Sequence, residues 1–199
     1  MRRPLLLLTT ALIVSLALAI PVGAQEGPLQ GGSILLGGSF AFNSDGGDLF
    51  ENAAGDRITR ISFSPNVAFF IADGVGLGLN VAYSRTSQGS VSSTQFGAGP
   101  CLYYFPGGGS ASSSVRGATL PYLRGIALFS VQTSDNGVTE ATWNGTLFEI
   151  GGGFVHMLSE HAGLNVSAGC QLLSYKDDAD VTEDGNRIRL GLGLLVFLY

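Results

Sequence analysis

From Ile61 to Ser84 the chain spells out a strand, a tight turn and a second strand, with large apolar residues alternating with small or weakly polar ones and almost no charge. Between Gly76 and Ser84 the odd positions are Leu77, Leu79, Val81 and Tyr83, and the even ones Gly76, Gly78, Asn80, Ala82 and Ser84. A period of two is the signature of a β-strand, whose successive side chains leave opposite faces. Alternation alone does not say which face meets water. The make-up of the small face decides: a solvated face carries Lys and Glu, whereas this one is Gly, Ser, Asn and Ala. Small side chains suit a narrow lumen, and the large ones then face lipid. The expected fold is all-β, an eight-stranded antiparallel up-and-down transmembrane β-barrel.

The first residues agree with export. Arg2 and Arg3 precede an apolar run from Leu5 to Ile20, then Val22, Gly23 and Ala24 before Gln25. This reads as a cleavable signal peptide over residues 1–24, followed by a barrel domain over 25–199. An uncleaved helical anchor is the other reading of the same segment. Cleavage after Ala24 leaves 175 residues of formal charge −7, one acidic domain with nothing basic to attract nucleic acid. Beyond the leader, no stretch of about 18 residues is apolar enough to cross a bilayer as a helix, so any spans must be strands.

Eight strands are expected, at about Ser33–Asn43, Ile58–Ile71, Gly76–Arg85, Thr94–Phe105, Leu120–Val131, Thr146–Leu158, Gly163–Tyr175 and Ile188–Tyr199. Most reach or exceed the roughly 9 to 11 residues that a tilted strand needs to cross a membrane. The connections alternate in character. Ser44–Arg57, Thr86–Ser93, Gln132–Gly145 and Lys176–Arg187 are polar and mostly long, while Ala72–Val75 and Ser159–Ala162 are short. That asymmetry suits long loops outside and short turns on the periplasmic side. The Gly- and Ser-rich stretch Pro106–Thr119 breaks the pattern and is expected to be a flexible periplasmic loop.

The phrase from Phe63 through Pro65, Asn66, Phe69, Phe70, Asp73 and Gly74 to Leu79 resembles the strand, turn and strand of the small OmpX/OmpA-like outer-membrane-protein barrel domains. The resemblance extends more weakly over the rest of the chain. It implies an outer-membrane protein of a Gram-negative-type bacterium, surrounded by outer-membrane lipid and inserted by the barrel-assembly machinery. The ending, Phe197 then Tyr199, is similar to the assembly signal of such barrels. One departure stands out: Arg189 shares parity with Phe197 and Tyr199, while Ile188, Leu190, Leu192, Leu194, Val196 and Leu198 form the cleaner apolar face. Either the last strand carries a bulge that switches faces, or the terminal aromatics point inward.

Charges within the strands are few, and Arg60, Arg124, Glu149 and Arg189 all sit at parities that can face the lumen. Facing lipid near the midplane would cost an Arg about 2 to 4 kcal/mol. An interior ion-pair cluster centred on Glu149 is therefore expected, with Arg heads reaching interfacial water as the plainer alternative. Asp45, Asp48, Glu51 and Asp56, then Asp135 and Glu140, then Asp177, Asp178, Asp180, Glu183 and Asp184 place 11 of the 15 acidic residues in the expected outer loops. Carboxylates could bridge through divalent ions. A solvated acidic face is the commoner reason for such clustering, and no residue matches a spaced calcium-loop pattern.

Catalysis has little support in the sequence. The two histidines, His156 and His161, flank a short turn with Ser159 and Glu160, at the expected periplasmic end and in the wrong leaflet for outer-surface lipid chemistry. Cys101 and Cys170 fall on opposite faces of their strands, so no disulfide is expected. Gly76 and Gly78, like Gly191 and Gly193, lie within strands and are not phosphate loops. Trp143 and Tyr83, Tyr103, Tyr104, Tyr122 and Tyr175 either form interfacial girdles or fill the lumen. The expected protein is a cofactor-free monomer with a structural or surface-interaction role, meeting an unidentified surface partner through its loops. The alternatives are a narrow channel for small solutes, a lipid-modifying enzyme and a secreted soluble lipocalin-like barrel.

Overall fold

A computed structural model describes residues 27–45, 55–107, 116–176 and 182–199. The expected signal peptide lies outside them. Eight strands follow in chain order: β1 Ile34–Asp45, β2 Ile58–Ala72, β3 Val75–Gln88, β4 Val91–Tyr104, β5 Thr119–Asp135, β6 Glu140–Met157, β7 Ala162–Lys176 and β8 Thr182–Leu198. Each pairs antiparallel with its neighbour, and β1 pairs with β8 to close the barrel. Five of the seven connections have five residues or fewer, which favours pairing between strands adjacent in the chain.

The strands are longer than the apolar pattern indicates. The expected loop Thr86–Ser93 is a turn at Gly89–Ser90, because the ladder continues through Ser87↔Ser92 and Gln88↔Val91. The expected loop Gln132–Gly145 contracts to residues 136–139, with Asp135 paired to Glu140. The Asn136 side chain shapes that turn, its Oδ1 accepting from the amides of Val138 at 3.0 Å and Thr139 at 2.7 Å. β8 begins at Thr182, six residues before the expected Ile188. Apart from Val91, Ala141 and Trp143 these extensions are polar or small on both faces because they stand clear of the apolar belt, so the hydropathy alternation fades while backbone pairing does not. Asp135, Glu140, Glu183 and Asp184, expected in loops, are therefore strand residues, as is Asp45 at the end of β1. Asp48, Glu51, Asp177, Asp178 and Asp180, with most of the Gly- and Ser-rich connection, lie outside the described residues.

At the other rim two of the connections are tight, 73–74 and 158–161. Asp73–Gly74 joins β2 to β3, with Gly74 at φ 73°, a left-handed conformation that suits glycine. A register shift between Phe70 and Ala72 precedes it.

The faces divide as the alternation indicates. Leu77 and Leu79 point outward beside Phe63, Phe148, Ile150 and Leu190, the last two exposed by 78% and 80%. Charges at outward parity, namely Arg85, Asp135, Glu140, Lys176 and Asp184, all stand toward the rim that carries the 89–90 and 136–139 turns, hereafter the upper rim. Below them the wall is a belt of exposed Phe, Leu, Ile and Val, an apolar surface far larger than a soluble monomer presents. The buried side chains lie in the lumen. Cys101 is buried there and Cys170 faces out, so the two thiols are separated by the wall.

Parity along β8 is unbroken. Its pairing with β7 runs from Ala162↔Val196 to Lys176↔Thr182 without a shift, so there is no bulge, and Phe197 points inward with 0% exposure.

Candidate functional site: the lumenal ion-pair cluster

The lower end of the lumen is packed with aromatic and aliphatic groups. Phe70 of β2, Tyr103 of β4, Tyr122 of β5 and Phe197 of β8 surround Phe105, whose ring centroid lies 5.4 Å from Tyr122 and 6.2 Å from Phe197. Leu29 completes this plug from below. The segment before β1 turns under the barrel, Gly32 N donating to the Phe70 carbonyl at 2.7 Å and Gly74 N to the Leu29 carbonyl at 2.7 Å.

Above the plug the lumen becomes polar. Glu149 of β6 is 2% exposed and lies at its centre. Arg124 Nη2 of β5 donates to Glu149 Oε1. Gln171 Nε2 of β7 donates to Oε2 at 2.6 Å, and Arg189 Nη1 of β8 approaches the same oxygen at 3.5 Å. Arg189 Nη2 also donates to Ser39 Oγ of β1 at 3.0 Å, so side chains from three strands converge on the carboxylate of a fourth and a fifth strand is tied in. A carboxylate accepting bonds from two guanidiniums and an amide has most of its roughly four acceptor positions occupied, as keeping an ion out of water requires. Tyr122 OH donates across the lumen to Asn165 Oδ1 at 2.8 Å, and Gln95 Nε2 donates to Tyr175 OH at 2.5 Å nearer the upper rim.

Of the four charges singled out from the sequence, Arg124, Glu149 and Arg189 come together. Arg60 faces the lumen but stands apart, bonded to Thr86 Oγ1 at 3.4 Å on the wall of an upper cavity of about 550 Å³. Sequence reasoning passed over Gln171 and Arg187. The signal was there: both share lumenal parity with their strand neighbours, and Gln171 stands opposite Glu149 in the β6–β7 register. The tyrosines divide between the two expectations, with Tyr103, Tyr122 and Tyr175 in the lumen and Tyr83 and Tyr104 outward. His156 bonds Thr119 Oγ1 at 3.1 Å and His161 the Phe197 carbonyl at 3.2 Å, both at the lower rim.

A closed eight-stranded antiparallel barrel with an apolar exterior and a packed, charge-bridged interior has the architecture of small outer-membrane barrels. No family model and no curated protein matches the sequence. Solved structures do share the fold. Neisserial surface protein A aligns with a TM-score of 0.52 at 14% identity, over 82% of this chain and 95% of that one. Outer membrane protein OprG of Pseudomonas aeruginosa aligns with a TM-score of 0.52 at 16% identity, over 87% and 98%. The N-terminal β-barrel domain of OprF, also from Pseudomonas aeruginosa, aligns with a TM-score of 0.52 at 14% identity, over 87% and 99%.

Proposed function

We propose that the protein is an integral barrel of the outer membrane of a Gram-negative-type bacterium, with a structural or surface-interaction role and no bulk pore. The observation that carries this reading is the obstructed lumen. Glu149 and its partners cross the middle, and the aromatic plug with Leu29 fills the lower end. The apolar belt supports residence in lipid, since exposing it to water would invite aggregation. The likeness to outer-membrane barrels supports that setting. In this reading the barrel is a monomer delivered by the barrel-assembly machinery, and its upper rim, with Asp135, Glu140 and Asp184, is the face open to a surface partner. We assign it neither catalytic step nor cofactor.

Fractionation of cell envelopes and planar-bilayer recording test the reading together. The expected result is recovery with outer membranes, a gel mobility that changes on boiling, and no regular current steps. Recovery as a soluble envelope protein without detergent, or reproducible unitary currents, would overturn it.

A further inference from the structure

The wall of the barrel is unevenly closed. β7 and β8 remain paired up to Lys176↔Thr182, whereas β1 and β8 are paired only from Ile34↔Leu198 to Gly38↔Leu194. Above Gly38, among the described residues, β1 continues to Asp45 with only β2 paired to it, and β8 between Thr182 and Gly193 is paired only with β7. The glycines of β8 record the same parting. A methyl group added at Gly193 would come within 2.5 Å of the Gly38 carbonyl of β1, but at Gly191 only Ser167 Oγ of β7 lies within 4 Å, and at Gly185 nothing does. The upper wall therefore contains a slot between β1 and β8. Arg189 bridges its foot through the bond to Ser39.

Behind the slot lies the cavity of about 550 Å³, and the charges that line it among the described side chains are of one sign. Arg60, Arg187 and Arg189 line it with Gln95, Gln132 and Gln171, and among the described side chains no carboxylate does. In front, Ile188, Leu190 and Leu192 of β8 face outward along the edge of the slot. The slot thus joins a cationic, amide-rich chamber to the apolar exterior, and the two surroundings together specify an anionic head with an aliphatic chain. Glu149 narrows the head group. It lies 3.5 Å from Arg189, so a dianion placed on that guanidinium would face a nearby negative charge, whereas a monoanion is better matched. A planar carboxylate also fits the guanidinium fork through two parallel bonds.

We propose that the slot and chamber bind a long-chain fatty-acid carboxylate, its head on Arg60 and Arg187 beside Arg189 and its chain leaving through the β1–β8 slot along Leu190. This rests on the membrane reading above, since the chain must emerge into lipid.

The test uses the full chain purified in an uncharged detergent and radiolabelled oleate in equilibrium binding. Wild type binds oleate saturably. R60Q/R187Q binds about tenfold more weakly or worse, given the strength of charge-assisted bonds, and oleyl alcohol, which has the chain without the charge, binds both proteins weakly and alike. Absence of saturable oleate binding, equal affinity in wild type and R60Q/R187Q, or a preference for a two-chain anionic phospholipid over oleate would each overturn the proposal. A wild-type protein that shows boiling-dependent mobility but no oleate binding defeats this inference alone. One that lacks that mobility defeats the membrane reading with it.

Discussion

Arg124 on β5 and Glu149 on β6 form an ion pair across adjacent strands that is almost sealed from solvent, with side-chain exposures of 9% and 1%. Removing one member of such a pair leaves the other buried and uncompensated, at a cost of about 3 to 5 kcal/mol. Glu149→Gln should therefore lower the unfolding midpoint in detergent markedly. Arg124→Met combined with Glu149→Leu should recover much of the loss, because the one charge then left without its partner, Arg189, is about a third exposed and keeps its bond to Ser39. An unchanged midpoint in Glu149→Gln would show that the cluster does not support the fold.

Phe197 and Leu198 are adjacent in sequence and opposite in surroundings. Phe197 packs against Phe105 in the plug, whereas Leu198 is largely exposed on the outside. Phe197→Ala should cost about 3 to 5 kcal/mol through the void it leaves. Leu198→Ala should cost much less. Thermal unfolding of the two variants side by side checks the inward assignment, and equal losses would contradict it.

The two thiols report on the same inside-out arrangement. Cys170 faces outward from β7 and Cys101 is buried in the lumen. In intact membranes, a lipid-soluble maleimide should label Cys170 and spare Cys101, and a membrane-impermeant one should label neither. Labelling of Cys170 by the impermeant reagent would place that face in water.

A charge on the belt supplies a fourth check. Ile150 is exposed on β6, next in sequence to the buried Glu149 and paired with Cys170. Ile150→Arg should destabilise the folded barrel by about 2 to 4 kcal/mol in bilayers if this level lies near the midplane. In a water-soluble barrel the same substitution at an exposed position would be close to neutral. Unfolding in lipid vesicles distinguishes the two.

Much of this architecture is legible in the residues because one rule, parity, governs both wall and interior. Leu77, Leu79 and Val81 declare the outer face, and the same counting places Arg124, Glu149 and Arg189 inside. Parity also left two choices at Phe197, and only the unbroken register with β7 selects between them. What the sequence hides are features without a hydropathy signature. The rim extensions near Gln88 and Asp135 are largely polar on both faces and look like loops until their ladders are seen. The parting of β1 from β8 depends on pairing between residues at opposite ends of the described chain, which no local pattern encodes. Leu29 was invisible for a similar reason, since a lone leucine in a Gly-rich stretch gives no sign that it caps a barrel.

That leucine carries a consequence for the order of assembly. Leu29 belongs to the same buried cluster as Phe197, and its segment is tied to β2 and to the turn after it. The ties of Leu29 to β2 are near in sequence and can form with the first hairpins, whereas the contact of Phe197 with Phe105 spans most of the barrel and must wait for β8. The stopper at the lower mouth is therefore completed last. Until β8 arrives the nascent barrel stays uncorked, and sealing coincides with the strand pairing that completes the cylinder.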